Sequence, residues 1–203
     1  ASIQGYTQLL QKGSADEELA LARIASESAR MSGLVEDLLL LARLDAGREL
    51  ASDPVDLIPL AIDAVSDAHA AGPDHEWVLD LPQFDDEDED CVSCTVAGDE
   101  SALRQVFANL VNNARIHTPA GTRVKVGVQV IGGGASAPGF VRMSVADDGP
   151  GIPPELRATV FDRFVRGDTS RSRQGKGSSG LGLSIVSSIA EALGGRVDVD
   201  TVC

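Results

Sequence analysis

The 203-residue chain predicts an α+β fold, an α/β sandwich of helices on a mixed sheet, preceded by a truncated antiparallel helical hairpin. Three observations carry this reading. A proline-free stretch at 16–48 repeats apolar residues at three-and-four spacing. From Pro54 onward, short strand-like runs are interleaved with longer helix-like ones. Glycine-rich turns separate several of these runs.

Within 16–48, Ile24, Met31, Leu38, Val35 and Ala42 share a helical stripe that Leu34, Leu39 and Leu41 widen. An isolated helix cannot bury such a face, so it needs a helical neighbour. Ile3, Thr7 and Leu10 supply part of one before Gly13 and Ser14 break the pattern, so the chain opens inside a helix that turns back as a hairpin. The two expected units are 1–48, the partial hairpin, and 53–203, a larger domain lacking its last strand.

In the second unit the patterns predict a strand at Pro54, a helix over 57–71 and a strand over 77–81. They continue with a strand over 92–97, a helix over 99–115, strands over 124–131 and 140–146, a helix over 181–193 and a strand start at 196–199. The wholly acidic run 85–90 reads as a solvated loop or small insertion.

Composition narrows the function. Acidic residues outnumber basic ones 31 to 17, for a formal net charge of -14, which opposes a nucleic-acid partner. The same field opposes any phosphate ligand unless local cations, helix N-termini or a metal offset it. No apolar run approaches the roughly 20 residues of a spanning helix, so no membrane contact is expected of these residues. The odd set Cys91, Cys94 and Cys203 points to a reducing, cytoplasmic setting. Cys91 and Cys94 have metal-ligand spacing that His69 and His75 would have to complete; two free thiols in a strand or loop is the preferred reading.

Four segments carry chemistry. In Asn109-Leu-Val-Asn112-Asn113-Ala-Arg115-Ile-His117-Thr-Pro119, Asn109 and Asn113 stack four residues apart on one helical face. They are neutral oxygen ligands suited to Mg²⁺ beside phosphates, or else caps and surface polar groups. Asp147-Asp148-Gly149-Pro150-Gly151-Ile152 ends a strand. Its first carboxylate can accept from the exocyclic amine of a base while Gly149 and Gly151 allow close approach, or the segment is a plain turn. Phe161-Asp-Arg163-Phe164-Val-Arg166 combines two aromatic anchors to the core with arginines able to reach a phosphate, and Arg171, Arg173 and Lys176 add to that cluster. Gly175-Lys-Gly177-Ser-Ser179-Gly180-Leu-Gly182 opens a helix, where amides favour phosphate, and fits neither a Walker A nor a dinucleotide fingerprint; a flexible linker explains it as well.

In this order the four segments resemble the N, G1, F and G2 boxes of the histidine-kinase ATPase superfamily, whose catalytic domain has the Bergerat fold. The helix of 16–48, ending in Leu-Leu-Leu-Leu-Ala-Arg-Leu-Asp-Ala-Gly, resembles the second dimerisation helix of sensor histidine kinases of two-component systems. The resemblance implies ATP and Mg²⁺ as cofactors. Asp147 would bind the adenine amine, and Gly149, Gly151 and Ile152 would line the base pocket. Asn113 would be the principal metal ligand, with Asn109 beside it. Gly177, Ser179, Gly180, Leu181 and Gly182 would cradle phosphates beneath a mobile lid, Phe164 would belong to that lid, and Arg166, with Arg163 behind it, would face the phosphates.

The chain departs from the family pattern at Ile116, where relatives often carry lysine, and at His117, where they carry an aromatic, so one phosphate cation is either missing or supplied by Arg115; the resemblance still implies Arg115 and His117 at the ATP site. None of His69, His75 and His117 matches the acceptor position. The acceptor histidine would lie upstream of Ala1, leaving these residues able to bind ATP but not to phosphorylate themselves. The resemblance further implies a cognate response regulator, a homodimer through the hairpin, and a place as the cytoplasmic portion of an inner-membrane sensor protein. The alternative is a degenerate nucleotide-sensing dimerisation module. Another ATPase on the same fold is opposed by the two-helix start.

Overall fold

The computed structural model describes residues 3–13, 16–82, 94–132, 139–165 and 179–201. The chain divides into two compact units, Ala1–Arg43 and Leu44–Cys203. The first begins with α1 (Ile3–Gln11), which stops where Gly13 takes a φ of 63°, a left-handed conformation that terminates helices. α2 (Glu17–Asp45) starts at Asp16, whose carboxylate accepts from Leu19 N at 2.9 Å and so caps a free amide. Along α2 the apolar side chains of Leu19, Leu21, Met31, Val35, Leu38 and Leu39 are exposed.

The second unit runs β1 (Asp53–Asp56), α3 (Leu57–Ala71), β2 (Glu76–Asp80), β3 (Thr95–Gly98) and α4 (Glu100–His117). It continues with β4 (Arg123–Ile131), β5 (Phe140–Asp147), α5 (Pro154–Arg157) and α6 (Gly182–Ala192). Aspartates open the two helices that carry the core. Asp56 accepts from Ile58 N and Asp99 from Ala102 N, each at 3.0 Å. β4 alternates as a half-buried strand should, with Val124, Val126 and Val128 fully buried against Leu57, Leu60 and Ala61 of α3 and Leu103, Phe107 and Val111 of α4. Phe107 is wholly enclosed, and burying a side chain of that size contributes about 1.5–3 kcal/mol before packing is counted.

The sheet is mixed, in the order β2-β4-β5, with β2 parallel and β5 antiparallel to β4. The expectation of one sheet is corrected in one respect: among the described residues β1 and β3 pair only with each other, antiparallel. β1 is four residues long and contains Pro54, which has no N–H to give to a ladder and suits a short edge pairing. Two further details differ from the sequence reading. The strand start expected at 196–199 is not a strand, and Arg196 there pairs with Asp198 two residues on, at 3.2 Å, with both side chains largely exposed. α5 was not anticipated from the sequence; it is one turn begun by Pro154, whose fixed φ suits a first helical position. The acidic run 85–90 lies outside the described residues.

Candidate functional site

Core packing decides which face of α4 is left for chemistry. Leu103, Phe107, Val111 and Ala114 are buried on one side, so helical spacing turns Asn109 and Asn113 together onto another. The side-chain nitrogen of Asn109 is buried with no hydrogen-bond partner among the described residues. A Cβ added at Gly182 would stand 3.3 Å from its Oδ1. The asparagine face and the glycine-rich helix start, which are far apart in sequence, are therefore brought together, and glycine at 182 permits the close approach.

α6 is held by Leu181, Ile185, Val186 and Ile189, all buried. Its first turn has no side-chain cap, the condition under which helix amides are available to an anion. Just before it, Ser179 Oγ accepts from Leu181 N at 3.3 Å and Gly180 takes a φ of 71°. A Cβ at Gly180 would meet Val165 O at 2.9 Å, and Phe164 N donates to Gly180 O at 2.8 Å, so the loop at Phe164 and Val165 and the helix start are stitched together.

The second half of the site is the turn after β5. Register places Asp147 opposite Val124, at the end of the ladder. Asp147 Oδ1 accepts from Gly149 N at 3.0 Å, and Asp148 Oδ1 accepts from Arg123 N at 2.8 Å, which fastens the turn to β4. Gly151 has a φ of 72°, and Ile152 N donates to Thr201 Oγ1 at 3.2 Å. Asp147 is exposed and Ile152 half-buried.

Other expected residues sit elsewhere. Arg115 donates to Asn112 Oδ1 at 2.7 Å, and its methylene stem lies against Gly72 at the end of α3, away from the Asn109 face. His117 is exposed at the end of α4. Arg163 is engaged by Asp45, Nη2 to Oδ1 at 2.6 Å. Phe164 was expected to anchor the loop to the core; instead its side chain is 62% exposed and its φ is 65°, because the backbone turns there to donate to Gly180. Arg166, Arg171, Arg173, Lys176 and Gly177 lie outside the described residues, as does Cys91. Cys94 is buried, and among the described residues no cluster of three His, Cys, Asp or Glu side chains is arranged to hold a metal.

Two residues given no nucleotide-binding role from the sequence lie against this turn. Thr118 packs against the turn, with its Cγ2 2.8 Å from where a Gly149 Cβ would be, and His75 Nε2 lies 3.0 Å from Thr118 Oγ1. Thr118 was visible as the residue following the asparagine helix. His75 lies 43 residues earlier, and only the tertiary fold brings it near.

Comparison with known proteins fits this geometry. Residues 98–202 match the family model "Histidine kinase-, DNA gyrase B-, and HSP90-like ATPase", and residues 1–47 match "His Kinase A (phospho-acceptor) domain". The chain is 51% identical to a Mycobacterium tuberculosis protein described as "Probable sensor histidine kinase TcrY", over 99% of this chain and 40% of that protein. It is 46% identical to the Mycobacterium tuberculosis sensor histidine kinase TrcS, over 99% of this chain and 38% of that one. It thus spans about two fifths of these relatives' length. A solved mycobacterial sensor histidine kinase MprB superposes with a TM-score of 0.55 at 29% identity, covering 71% of this chain and 81% of the other. The Acinetobacter baumannii histidine kinase AdeS reaches a TM-score of 0.66, over 94% of this chain and 82% of its own; at 24% identity it speaks to the fold alone. Among the described residues no helix is long and apolar enough to cross a membrane.

Proposed function

This chain belongs to the histidine-kinase-type ATPases and, within them, to the sensor histidine kinases of two-component systems, and from that premise we propose that residues 53–203 bind Mg-ATP for phosphoryl transfer to a histidine, and thence to an aspartate of a response regulator. The observation that carries the reading is the buried, unpartnered amide of Asn109 set against the uncapped start of α6 at Gly182. A buried polar group without a partner is costly, and a phosphate or metal-bound water at this place would satisfy it.

Asn113 and Asn109 hold the metal, which when bound supplies charge neutralisation at the phosphate oxygens. The amides opening α6, with Ser179, Gly180 and Leu181, receive the phosphate chain. Asp147 accepts from the adenine amine while Ile152 excludes water from the base. In an enzyme of this kind positioning and electrostatics do most of the catalysis. Arg166, the phosphate-facing arginine, and Gly177 complete the cradle in this proposal.

The three histidines are His69 on α3, His75 bonded to Thr118, and His117 at the end of α4, none of them in the matched phospho-acceptor segment. The 203 residues accordingly bind ATP without labelling themselves. Residues 1–48 act as part of a dimerisation and phosphotransfer hairpin, and the exposed apolar stripe of α2 meets helices of a second copy.

The test is magnesium-dependent ATP binding by calorimetry, comparing the unmodified chain with Asp147→Ala and Asn113→Ala. Loss of binding in both folded variants supports the site. A folded unmodified chain that binds no ATP refutes it. Transfer of label from ATP to a separately supplied hairpin carrying an acceptor histidine then separates a kinase from a nucleotide-sensing module without activity.

A further inference from the structure

One cluster next to the Asp147 turn pairs Thr118, from the first motif, with His75, which lies in none of the four. His75 lies between α3 and β2, and its Nε2 is 3.0 Å from Thr118 Oγ1. The Thr118 hydroxyl, on a residue only 7% exposed, also lies 2.7 Å from Ala114 O. A hydroxyl has one proton, and the short contact with a carbonyl oxygen commits it there. The imidazole therefore donates through Nε2–H, and its other ring nitrogen is Nδ1. That nitrogen is buried with no hydrogen-bond partner among the described residues. The ring is held at 5.7 Å, centroid to centroid, from Trp77, whose own Nε1–H donates to Gly72 O at 2.9 Å.

An apolar ring would fill this space without leaving a nitrogen unpaired. What the imidazole adds is a second hydrogen bond on Thr118 Oγ1, one that fixes which way the threonine faces. With Oγ1 held by Ala114 and His75, Cγ2 and Cβ point at Gly149, standing 2.8 and 3.2 Å from the place a Cβ would occupy there. Gly149 N in turn donates to Asp147 Oδ1 at 3.0 Å. Each link of this chain sets the position of the next, from His75 before β2 to the carboxylate at the end of β5.

We propose that His75 is a positioning residue for base recognition, acting through Thr118 to hold the Gly149 turn and the Asp147 carboxylate where adenine is preferred over guanine; this rests on the nucleotide-binding reading above. An ionised carboxylate only accepts hydrogen bonds. It therefore rewards adenine's amine and repels guanine's carbonyl, but only if it is held in place. Discrimination by a fixed polar group is lost when the group can turn away.

The experiment measures ATP and GTP binding by calorimetry, and the Gly149 amide resonance in the nucleotide-free protein, for His75→Ala, His75→Gln and Thr118→Val. Loss of one such hydrogen bond predicts that His75→Ala and Thr118→Val each shift the Gly149 amide and reduce the ATP-over-GTP preference about five- to tenfold. His75→Gln, which returns an amide N–H near the Nε2 position, restores both. The double variant is no worse than Thr118→Val, because the two act in series. If His75→Ala does not fold, Thr118→Val and His75→Gln carry the test. ATP binding that is abolished in Asp147→Ala yet keeps its base preference and Gly149 resonance in folded Thr118→Val and His75→Ala overturns this inference alone. No ATP binding by the unmodified chain overturns the proposed function and the inference together.

Discussion

Arg163 Nη2 lies 2.6 Å from Asp45 Oδ1, joining residues 118 apart in sequence within the second unit. The hydrogen bond from Arg163, and behind it the guanidinium's charge, holds the Asp45 carboxyl below the usual aspartate range, and the same bond raises Arg163. Because the folded-state pKa of Asp45 is lowered, the pair's contribution is fully present above the ordinary value of about 3.9 and is lost as pH falls through the lowered one. Both side chains are well exposed, so salt screens the pair. A carboxyl-carbon NMR titration is expected to find Asp45 depressed in the unmodified chain and returned to the ordinary range in Arg163→Gln. High salt is expected to move it part of the way. An unchanged titration in Arg163→Gln would mean the pair does not form in solution.

Glycine at three positions is expected to matter for different reasons. At Gly149 a Cβ would strike Asp147 Oδ1 at 2.7 Å and Thr118 Cγ2 at 2.8 Å. Gly149→Ala therefore displaces the carboxylate and abolishes ATP binding while the domain still unfolds cooperatively. Gly180 and Gly121 both have positive φ, 71° and 84°, yet nothing lies within 4 Å of a Cβ at Gly121, whereas one at Gly180 meets Val165 O at 2.9 Å. Gly121→Ala is expected to cost about 1–2 kcal/mol from backbone conformation alone, and Gly180→Ala clearly more. Urea unfolding of the two variants side by side checks the difference; equal losses would remove the collision from the explanation.

The sequence was most legible where one local rule acted without competition. α3 was bounded correctly because Asp56 caps it and its apolar positions keep a single period, and α4 extends only two residues past the expected end at Arg115. Asn109, Asp147 and Gly182 stand out as candidates because each sits in a short motif of unusual composition. The parts that escaped depend on long-range pairing. Nothing local tells β1 to pair with β3 alone, or Arg163 to turn toward Asp45, or His75 to meet Thr118. Phe164 reads as a core aromatic by type, but the hydrogen bond of its backbone to Gly180 takes priority and leaves the ring outside.

Helix caps separate stability from function. Asp99 accepts from Ala102 N at the start of α4, the helix that carries both asparagines, and Asp56 does the same service for Ile58 N at the start of α3. Asp99→Ala and Asp56→Ala are each expected to lower stability by about 1 kcal/mol. Neither should change ATP affinity, since the asparagines lie about three and about four turns away from the Asp99 cap. Thermal unfolding and calorimetry on the same samples check both halves. A large fall in affinity for Asp99→Ala alone would show that fraying of the first turn reaches the site.

Phe107 offers a way to weigh ligand binding against core packing. It is fully buried two residues before Asn109, and Phe107→Ala is expected to cost about 3–5 kcal/mol, a large part of a small domain's usual 5–15 kcal/mol. The variant should be poorly folded at 37 °C, with Trp77, the single tryptophan, reporting the change in fluorescence. Nucleotide that binds only the folded state adds about 2.7 kcal/mol at a hundred times its dissociation constant. Mg-ATP should therefore recover much of the lost stability in Phe107→Ala and none of it in the Phe107→Ala, Asp147→Ala double variant. Recovery in both would place the stabilising ligand somewhere other than the Asp147 turn.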